Sequence, residues 1–299
     1  MKTILIGSVV SSKVMLEEMI NAKFPINMVF SLDEKYSKNV SGYRPIHEVA
    51  AANNIPLIKF RNINDEENIE IIKKVQPDYI FVIGLSQLID NKILKIANKG
   101  TIGLHPTPLP KYRGRAAMVW QVLLGERESK VSLFMIDEGM DSGDIIGQED
   151  YFIEETDYAE DLEKKSLEAL RKLSKRVLPD LMNDSIVPIP QNDNDATYLL
   201  IRRPEDGQID WNQSVSIIHR LIRAVSRPYP GAFGMYDGIH KLIIWRADVV
   251  ENKNIIGIPG QICAIGNNYF DILGKDGIIR VTDFENTDNV KLYIGHKLK

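Results

Sequence analysis

Two segments of the chain concentrate side chains able to move protons and meet developing charge. His105 follows the apolar run Thr101–Leu104 and leads into Pro106-Thr107-Pro108-Leu109-Pro110. That proline-rich stretch can neither continue a helix nor pair in a central strand. A histidine held at a strand end by such a turn has its ring set before a substrate arrives, as acid–base or oxyanion chemistry requires. Asp141 lies in Asp137-Glu138-Gly139-Met140-Asp141-Ser142-Gly143-Asp144, where two glycines permit tight backbone turns between the acids. Taken alone, this second segment reads as a solvated acidic turn. Its spacing does not fit an EF-hand, and no flanking helix pair is expected. His47, His219, His240 and His296 have no comparable surroundings.

The elements around these segments alternate. Thr3–Ile6, Ile26–Leu32, Pro56–Phe60, Tyr79–Gly84 and Gly100–His105 read as strands. Val14–Ile20, Ile46–Asn53, Asp65–Val75 and Leu88–Ala97 read as the helices between them. The continuous apolar run YIFVIG is what a central parallel strand covered on both faces requires. The alternation predicts an α/β fold with a doubly wound, mainly parallel, Rossmann-like sheet. Ligands bind such sheets beyond the carboxyl ends of the strands, which places Gly84–Gln87 and His105–Pro110 at a site. Ala116–Leu124 reads as a buried helix, Val131–Ile136 and Ile145–Phe152 as strands, and Tyr158–Met182 as a long amphipathic helix with Asp157 as its N-cap.

The polar stretch Asn183–Thr197, with QNDND at its centre, reads as connecting sequence. The expected organisation is a catalytic domain over 1–190, a linker over 191–210 and a smaller module over 211–299. In that module a helix at Ser214–Val225 precedes short strands at Leu242–Ala247, Gly260–Ile265, Tyr269–Leu273 and Ile278–Phe284. These strands, separated by Gly and Asn turns, predict a small β-barrel of the OB-like kind.

Composition narrows the function classes. The 299 residues carry 44% hydrophobic and 26% charged side chains and a net charge of −4, with the charges scattered. A protein that grips a nucleic-acid backbone shows a basic stripe, so nucleic acid is not expected as a partner. The single cysteine, Cys263, rules out an intramolecular disulfide and a cysteine-based metal site, and it reads as a small buried residue of a strand. No run is long enough to span a membrane. MKTILIGSVV lacks a small-residue cleavage site and reads as a buried first strand, so a cytoplasmic protein is expected. The first strand leads into GSVVSSKV rather than G-x-G-x-x-G, which argues against a nicotinamide-dependent enzyme.

Taken together, GLHPTPLPKYRGRAAMVWQVLLGE, VSLFMIDEGMDSGDIIGQ and the later TYLLIRRPEDGQIDW resemble the folate-dependent formyltransferases. That family includes glycinamide ribonucleotide, methionyl-tRNA and sugar-nucleotide members, and the resemblance spans most of the chain. It implies transfer of a formyl group from N10-formyltetrahydrofolate, as co-substrate, to a primary amine, with no metal. On the family pattern an imidazolium at His105 stabilises the oxyanion of the tetrahedral intermediate, and Asp141 orders a proton-relaying water. The same resemblance assigns the pterin to Leu85, Ser86, Gln87 and Leu88 together with Asp137, Glu138, Gly139, Met140 and Asp141. Thr107, Tyr112, Arg113, Gly114 and Arg115 would hold the acceptor, an arginine pairing with phosphate in a forked geometry. Arg113 reads equally as a structural residue paired to an Asp or Glu of the acidic loop.

One position departs from the pattern. The family motif is Asn-x-His, and here the asparagine position is Gly103. Losing one oxyanion donor typically costs on the order of 10²–10³ in rate. Gln87, with an amide in the neighbouring strand-end loop, is the candidate substitute and so a catalytic candidate beside His105 and Asp141; Ser86 is the second. Arg202, Arg203 and Asp206 could join the acceptor site or the domain junction, Tyr229 reads as fixing a turn, and Trp211 and Trp245 as packing residues.

The acceptor expected from the resemblance is a UDP- or dTDP-linked amino sugar destined for a glycan such as lipopolysaccharide. The acidic chain and the absence of a basic insertion in LDEKYSKNVSGYRP set it apart from methionyl-tRNA formyltransferase, the alternative. The C-terminal module sets it apart from the compact purine-pathway members. A non-catalytic folate-binding paralogue is the second alternative, carried by Gly103. A homodimer is left open.

Overall fold

The computed structural model describes residues 1–299 except 39, 252 and 253. The first part of the chain runs β1 (Thr3–Ile6), α1 (Val10–Asn21), β2 (Met28–Leu32), α2 (His47–Ala52), β3 (Leu57–Phe60), α3 (Glu66–Val75), β4 (Tyr79–Val82), α4 (Asn91–Leu94) and β5 (Gly100–His105). Next come β6 (Arg113–Gly114), α5 (Ala117–Leu124), β7 (Glu128–Met135), β8 (Ile145–Phe152), α6 (Ala159–Met182) and β9 (Tyr198–Leu199). The remainder holds α7 (Val215–Val225), β10 (Ala232–Tyr236), β11 (His240–Val250), β12 (Ile262–Ile265), β13 (Phe270–Leu273) and β14 (Ile278–Asn286). Two compact units result. The first gathers Met1–Ala117, Glu128–Phe152 and Lys164–Leu200; the second gathers Met118–Arg127, Ile153–Glu163 and Ile201–Lys299. Residues 191–200, expected in the linker, therefore group with the first unit.

The first unit is built on a seven-stranded sheet in the order β3-β2-β1-β4-β5-β7-β8. Strands β3 to β5 are parallel, and β7 and β8 run antiparallel to their neighbours. This is the doubly wound, mainly parallel sheet that the alternation predicts. Ile4, Ile6, Phe30 and Ile80 pack against Ile69, Ile72 of α3 and Ile93 of α4 to form a core on one face. Burying such side chains contributes roughly 1.5–3 kcal/mol each and fixes the strand register. In α3 the first turn carries Glu66 and Glu67 and the last carries Lys73 and Lys74, each sign matching the helix dipole.

One expectation is corrected. The helix expected over 88–97 contracts to α4, because the Asp90 carboxylate accepts the Lys92 N–H and caps the helix late. Residues 87–90 are instead bonded to the loop at 61–64. Before α6, the Asp157 carboxylate accepts the Glu154 N–H and the Asp161 carboxylate accepts that of Tyr158.

The second unit holds a five-stranded antiparallel sheet, β10-β11-β14-β13-β12. Leu242, Ile244, Phe270, Ile272, Ile279 and Val281 are buried in it, as are Ile218 and Ile222 of α7. The last residues close the sheet. Met235 and Lys299 exchange backbone hydrogen bonds of 2.7 and 3.0 Å, and the Leu298 N–H donates to the Gly260 carbonyl at 2.9 Å. These bonds join the β10 edge to the entry of β12, giving the barrel-like module that the short strands predict. Among the described residues, no helix is long and apolar enough to cross a membrane.

Candidate active site

His105 ends β5 opposite Ser132 of β7 and is 7% exposed. Its Nε2 lies 2.8 Å from the Tyr112 carbonyl, to which it donates, and its Nδ1 lies 3.7 Å from Asp141 Oδ2. The loop after β7 leaves the sheet beside Ile102 and folds back far enough to bring Asp141 to that ring. The Asp141 carboxylate also accepts the Gly114 N–H at 2.8 Å. Sequence reasoning paired His105 with Asp141 through their flanking motifs, and the structure brings them together.

The backbone here is held in a costly form. Asp141, Tyr112 and Ala116 have φ of 51°, 65° and 56°, all left-handed. For residues with a Cβ this costs roughly 1–2 kcal/mol each, and such residues persist where the surroundings over-determine them. Polar side chains on β7 and β8 hold the adjoining 106–109 turn. Gln148 Nε2 donates to the Leu109 carbonyl at 2.9 Å and to Ser132 Oγ at 2.8 Å. Ser132 donates in turn to the Thr107 carbonyl at 2.6 Å, and Tyr151 donates to the Pro106 carbonyl at 2.9 Å. Thr107, expected to touch the acceptor, is fully buried and donates to the Lys111 carbonyl at 3.0 Å. Its hydroxyl therefore serves the turn.

The two loops assigned to the pterin each present an apolar side chain to solvent: Leu88 is 89% and Met140 57% exposed. Leu85 packs against the core and Ser86 is exposed. Asp137 closes its own turn, accepting from the Gly139 N–H and the Ser142 hydroxyl, and Glu138 pairs with Lys95 at 3.3 Å. Gln87 points its amide elsewhere. Its Oε1 accepts the Ile63 N–H at 2.9 Å and its Nε2 donates to the Arg61 carbonyl at 2.7 Å.

Arg113 is 1% exposed, and its guanidinium is fully engaged. Nε and Nη2 donate to Gln191 Oε1 at 3.0 and 2.9 Å, and Nη1 reaches Asp193 at 2.9 Å and the Tyr198 hydroxyl at 3.2 Å. The structural alternative for Arg113 is thus the one observed, with acids and amides of the 191–198 segment as its partners rather than those of the acidic loop. Arg115 is exposed on the same loop. Sequence reasoning missed Gln191, which read as part of a connecting stretch, and also Ser132 and Gln148, which lie within VSLFMIDEGMDSGDIIGQ but were given no role there.

Gly103 pairs directly with Phe134, so both occupy one face of the sheet. A Cβ at Gly103 would fall 2.9 Å from the Phe134 ring and 2.9 Å from Ile136. The space beside a side chain at this position is filled by hydrocarbon.

In the second unit, Arg202 lies over the Trp120 ring at 4.9 Å and donates to the Asp206 carbonyl, while Asp206 accepts the Arg203 N–H. Trp211 and Trp245 are 3% and 8% exposed, as packing residues should be. Tyr229 donates to the Met118 sulfur at 3.8 Å, and Cys263 is half-buried with its thiol donating to the Asp271 carbonyl.

Residues 12–178 match the family described as formyl transferase, and residues 202–294 match its C-terminal domain. Three solved structures share the fold. HypX from Aquifex aeolicus, in complex with tetrahydrofolic acid, is 18% identical with a TM-score of 0.71, covering 95% of this chain. This chain spans only 44% of HypX. The N-formyltransferase from Helicobacter canadensis, in complex with folinic acid and dTDP-3-aminofucose, is 22% identical with a TM-score of 0.67; 95% of this chain and 100% of that one are covered. Methionyl-tRNA formyltransferase from Clostridium thermocellum is 22% identical with a TM-score of 0.61, covering 92% and 99%.

Proposed function

We propose a specific activity for this chain, which belongs to the formyl transferase family: transfer of a formyl group from N10-formyltetrahydrofolate to the primary amine of a nucleotide-linked amino sugar. The observation that carries the reading is the buried His105 whose Nδ1 faces Asp141 at the mouth of the strand-end loops. Attack by the amine on the formyl carbon generates a tetrahedral oxyanion; the C–N10 bond breaks as the carbonyl re-forms, and the proton lost by the amine passes to the departing folate nitrogen. On this reading the His105 Nε2–H exchanges the Tyr112 carbonyl for the oxyanion, while Asp141, fixed by the Gly114 N–H, holds the other edge of the ring. The pterin is proposed to rest on 85–88 and 137–141, whose exposed Leu88 and Met140 offer apolar cover for a flat heterocycle.

Support for a sugar nucleotide over tRNA comes from the scattered charge, net −4. The test is to incubate the protein with N10-formyltetrahydrofolate and a panel of UDP- and dTDP-amino sugars beside methionyl-tRNA, reading acceptor mass. A gain of one formyl group on a sugar nucleotide is the expected result. Formylation of the tRNA alone would overturn the choice of acceptor. Folate binding with no turnover on any amine would favour a non-catalytic paralogue.

A further inference from the structure

We infer that Gln191 is a positioning residue of the active site, and that the 191–199 segment is the brace that sets it. The inference rests on the activity proposed above and goes beyond it. Gln191 spends its whole amide on two loops. Nε2 donates to the Asp141 carbonyl at 2.9 Å and to the Gly143 carbonyl at 2.6 Å. Oε1 accepts both Arg113 donors. Two N–H groups face two carbonyls and one oxygen faces a guanidinium, so only this orientation of the amide satisfies the network.

The geometry explains how Asp141 keeps its left-handed backbone. Gln191 ties down the carbonyls of residues 141 and 143, on either side of Ser142. Gly143 can carry no side chain there, since a Cβ would lie 1.8 Å from the Met135 carbonyl. The same brace holds the opposing loop. The Tyr112 N–H donates to Thr197 Oγ1 at 2.8 Å, the Arg113 N–H to the Thr197 carbonyl at 2.9 Å, and the Arg115 N–H to the Leu199 carbonyl at 3.2 Å. Three groups that meet the catalytic pair or form part of it thus hang from one segment. They are the Tyr112 carbonyl on His105, the Gly114 N–H on Asp141, and the Asp141 backbone itself.

Two variants separate the parts. Gln191→Met keeps the length and loses every hydrogen bond. Gln191→Glu keeps an acceptor for Arg113 but puts oxygen against the two carbonyls. Because a misplacement of about 1 Å in a reacting group costs about 100-fold, both variants should lower kcat by about 10–100-fold. KM for both substrates should stay within about twofold, the signature of lost transition-state contacts rather than lost binding. Amide hydrogen exchange, read without substrate, should speed up in peptides covering 112–116 and 139–144. If Gln191→Glu retains wild-type kcat, Arg113 docking alone matters and the inference fails. Unchanged exchange in both peptides of Gln191→Met overturns it as well. If the wild type formylates no amine, the proposed activity has failed, and the exchange measurement alone decides the role of Gln191.

Discussion

Gly103 and Phe134 face each other across the β5–β7 ladder with no room for a side chain between them: a Cβ on the glycine would lie 2.9 Å from the ring. The missing asparagine of the family motif is therefore a packing solution of this core. Introducing it by Gly103→Asn should cost about 1–3 kcal/mol, the usual range for overpacking a filled core, and should not raise turnover. Urea titration beside a formylation assay checks both. A stable Gly103→Asn variant with higher kcat would show that Phe134 yields easily.

His105→Ala and Asp141→Asn should each reduce turnover by about 10²–10⁴-fold while folate binding persists. Asparagine is the right replacement at position 141, because it tolerates the left-handed backbone that Asp141 adopts at φ 51°. Single-turnover rates and fluorescence titration with a stable folate analogue provide the measurement. Near-normal rates in either variant would remove that residue from the chemistry.

The two arginines of the Tyr112–Arg115 loop should behave differently. Arg113→Ala removes a buried guanidinium with partners at Gln191, Asp193 and Tyr198, and should cost about 2–3 kcal/mol of stability. Arg115→Ala, at an exposed position, should leave stability within about 0.5 kcal/mol. It should raise the acceptor KM about tenfold, the equivalent of 1.4 kcal/mol in binding. Steady-state kinetics and thermal melts on both variants distinguish these roles; an unchanged KM in Arg115→Ala would clear that arginine of any acceptor contact.

Gln87 was the sequence candidate for the second oxyanion donor, and its bonds to Ile63 and Arg61 change what its removal should do. Gln87→Ala should lower stability by about 1–2 kcal/mol, for two lost hydrogen bonds, and leave kcat within about threefold. A collapse of turnover without loss of stability would restore Gln87 to the catalytic set.

Burial, with the charge of Arg223 second, holds His219 below the ordinary histidine value of 6.5. On acidification the unfolded chain therefore takes up this proton before the folded one. Its contribution to stability is complete above about pH 6.5 and is lost as pH falls through the lower folded value. Urea unfolding at pH 7 and pH 5.5 should show a drop that is smaller in His219→Gln. Equal drops in the two proteins would place the pH dependence elsewhere.

What the sequence disclosed, and what it hid, divides along physical lines. His105 and Asp141 were legible only through the motifs that flank them, since the acidic segment alone reads as a solvated turn. The parallel sheet was legible because Tyr79–Val82 and residues 4–6 are apolar throughout. Gln191 was not, since its meaning lies in carbonyls 48 and 50 residues away, and its neighbours QNDND spell only polarity. Arg113 looked like a phosphate ligand for the same reason: no local pattern reveals that a guanidinium is enclosed. The helix expected at 88–97 failed because a capping aspartate in mid-run, Asp90, outweighs the apolar spacing around it.

The closure of the C-terminal barrel has a bearing on how the molecule meets its own copies. An open sheet edge is a template on which a second chain can add a strand, the first step toward aggregation. In this chain, residues 296–299 occupy that template at residues 235–237 and again at 260–262. That segment thus acts as a built-in stopper, shielding those stretches of backbone from strangers.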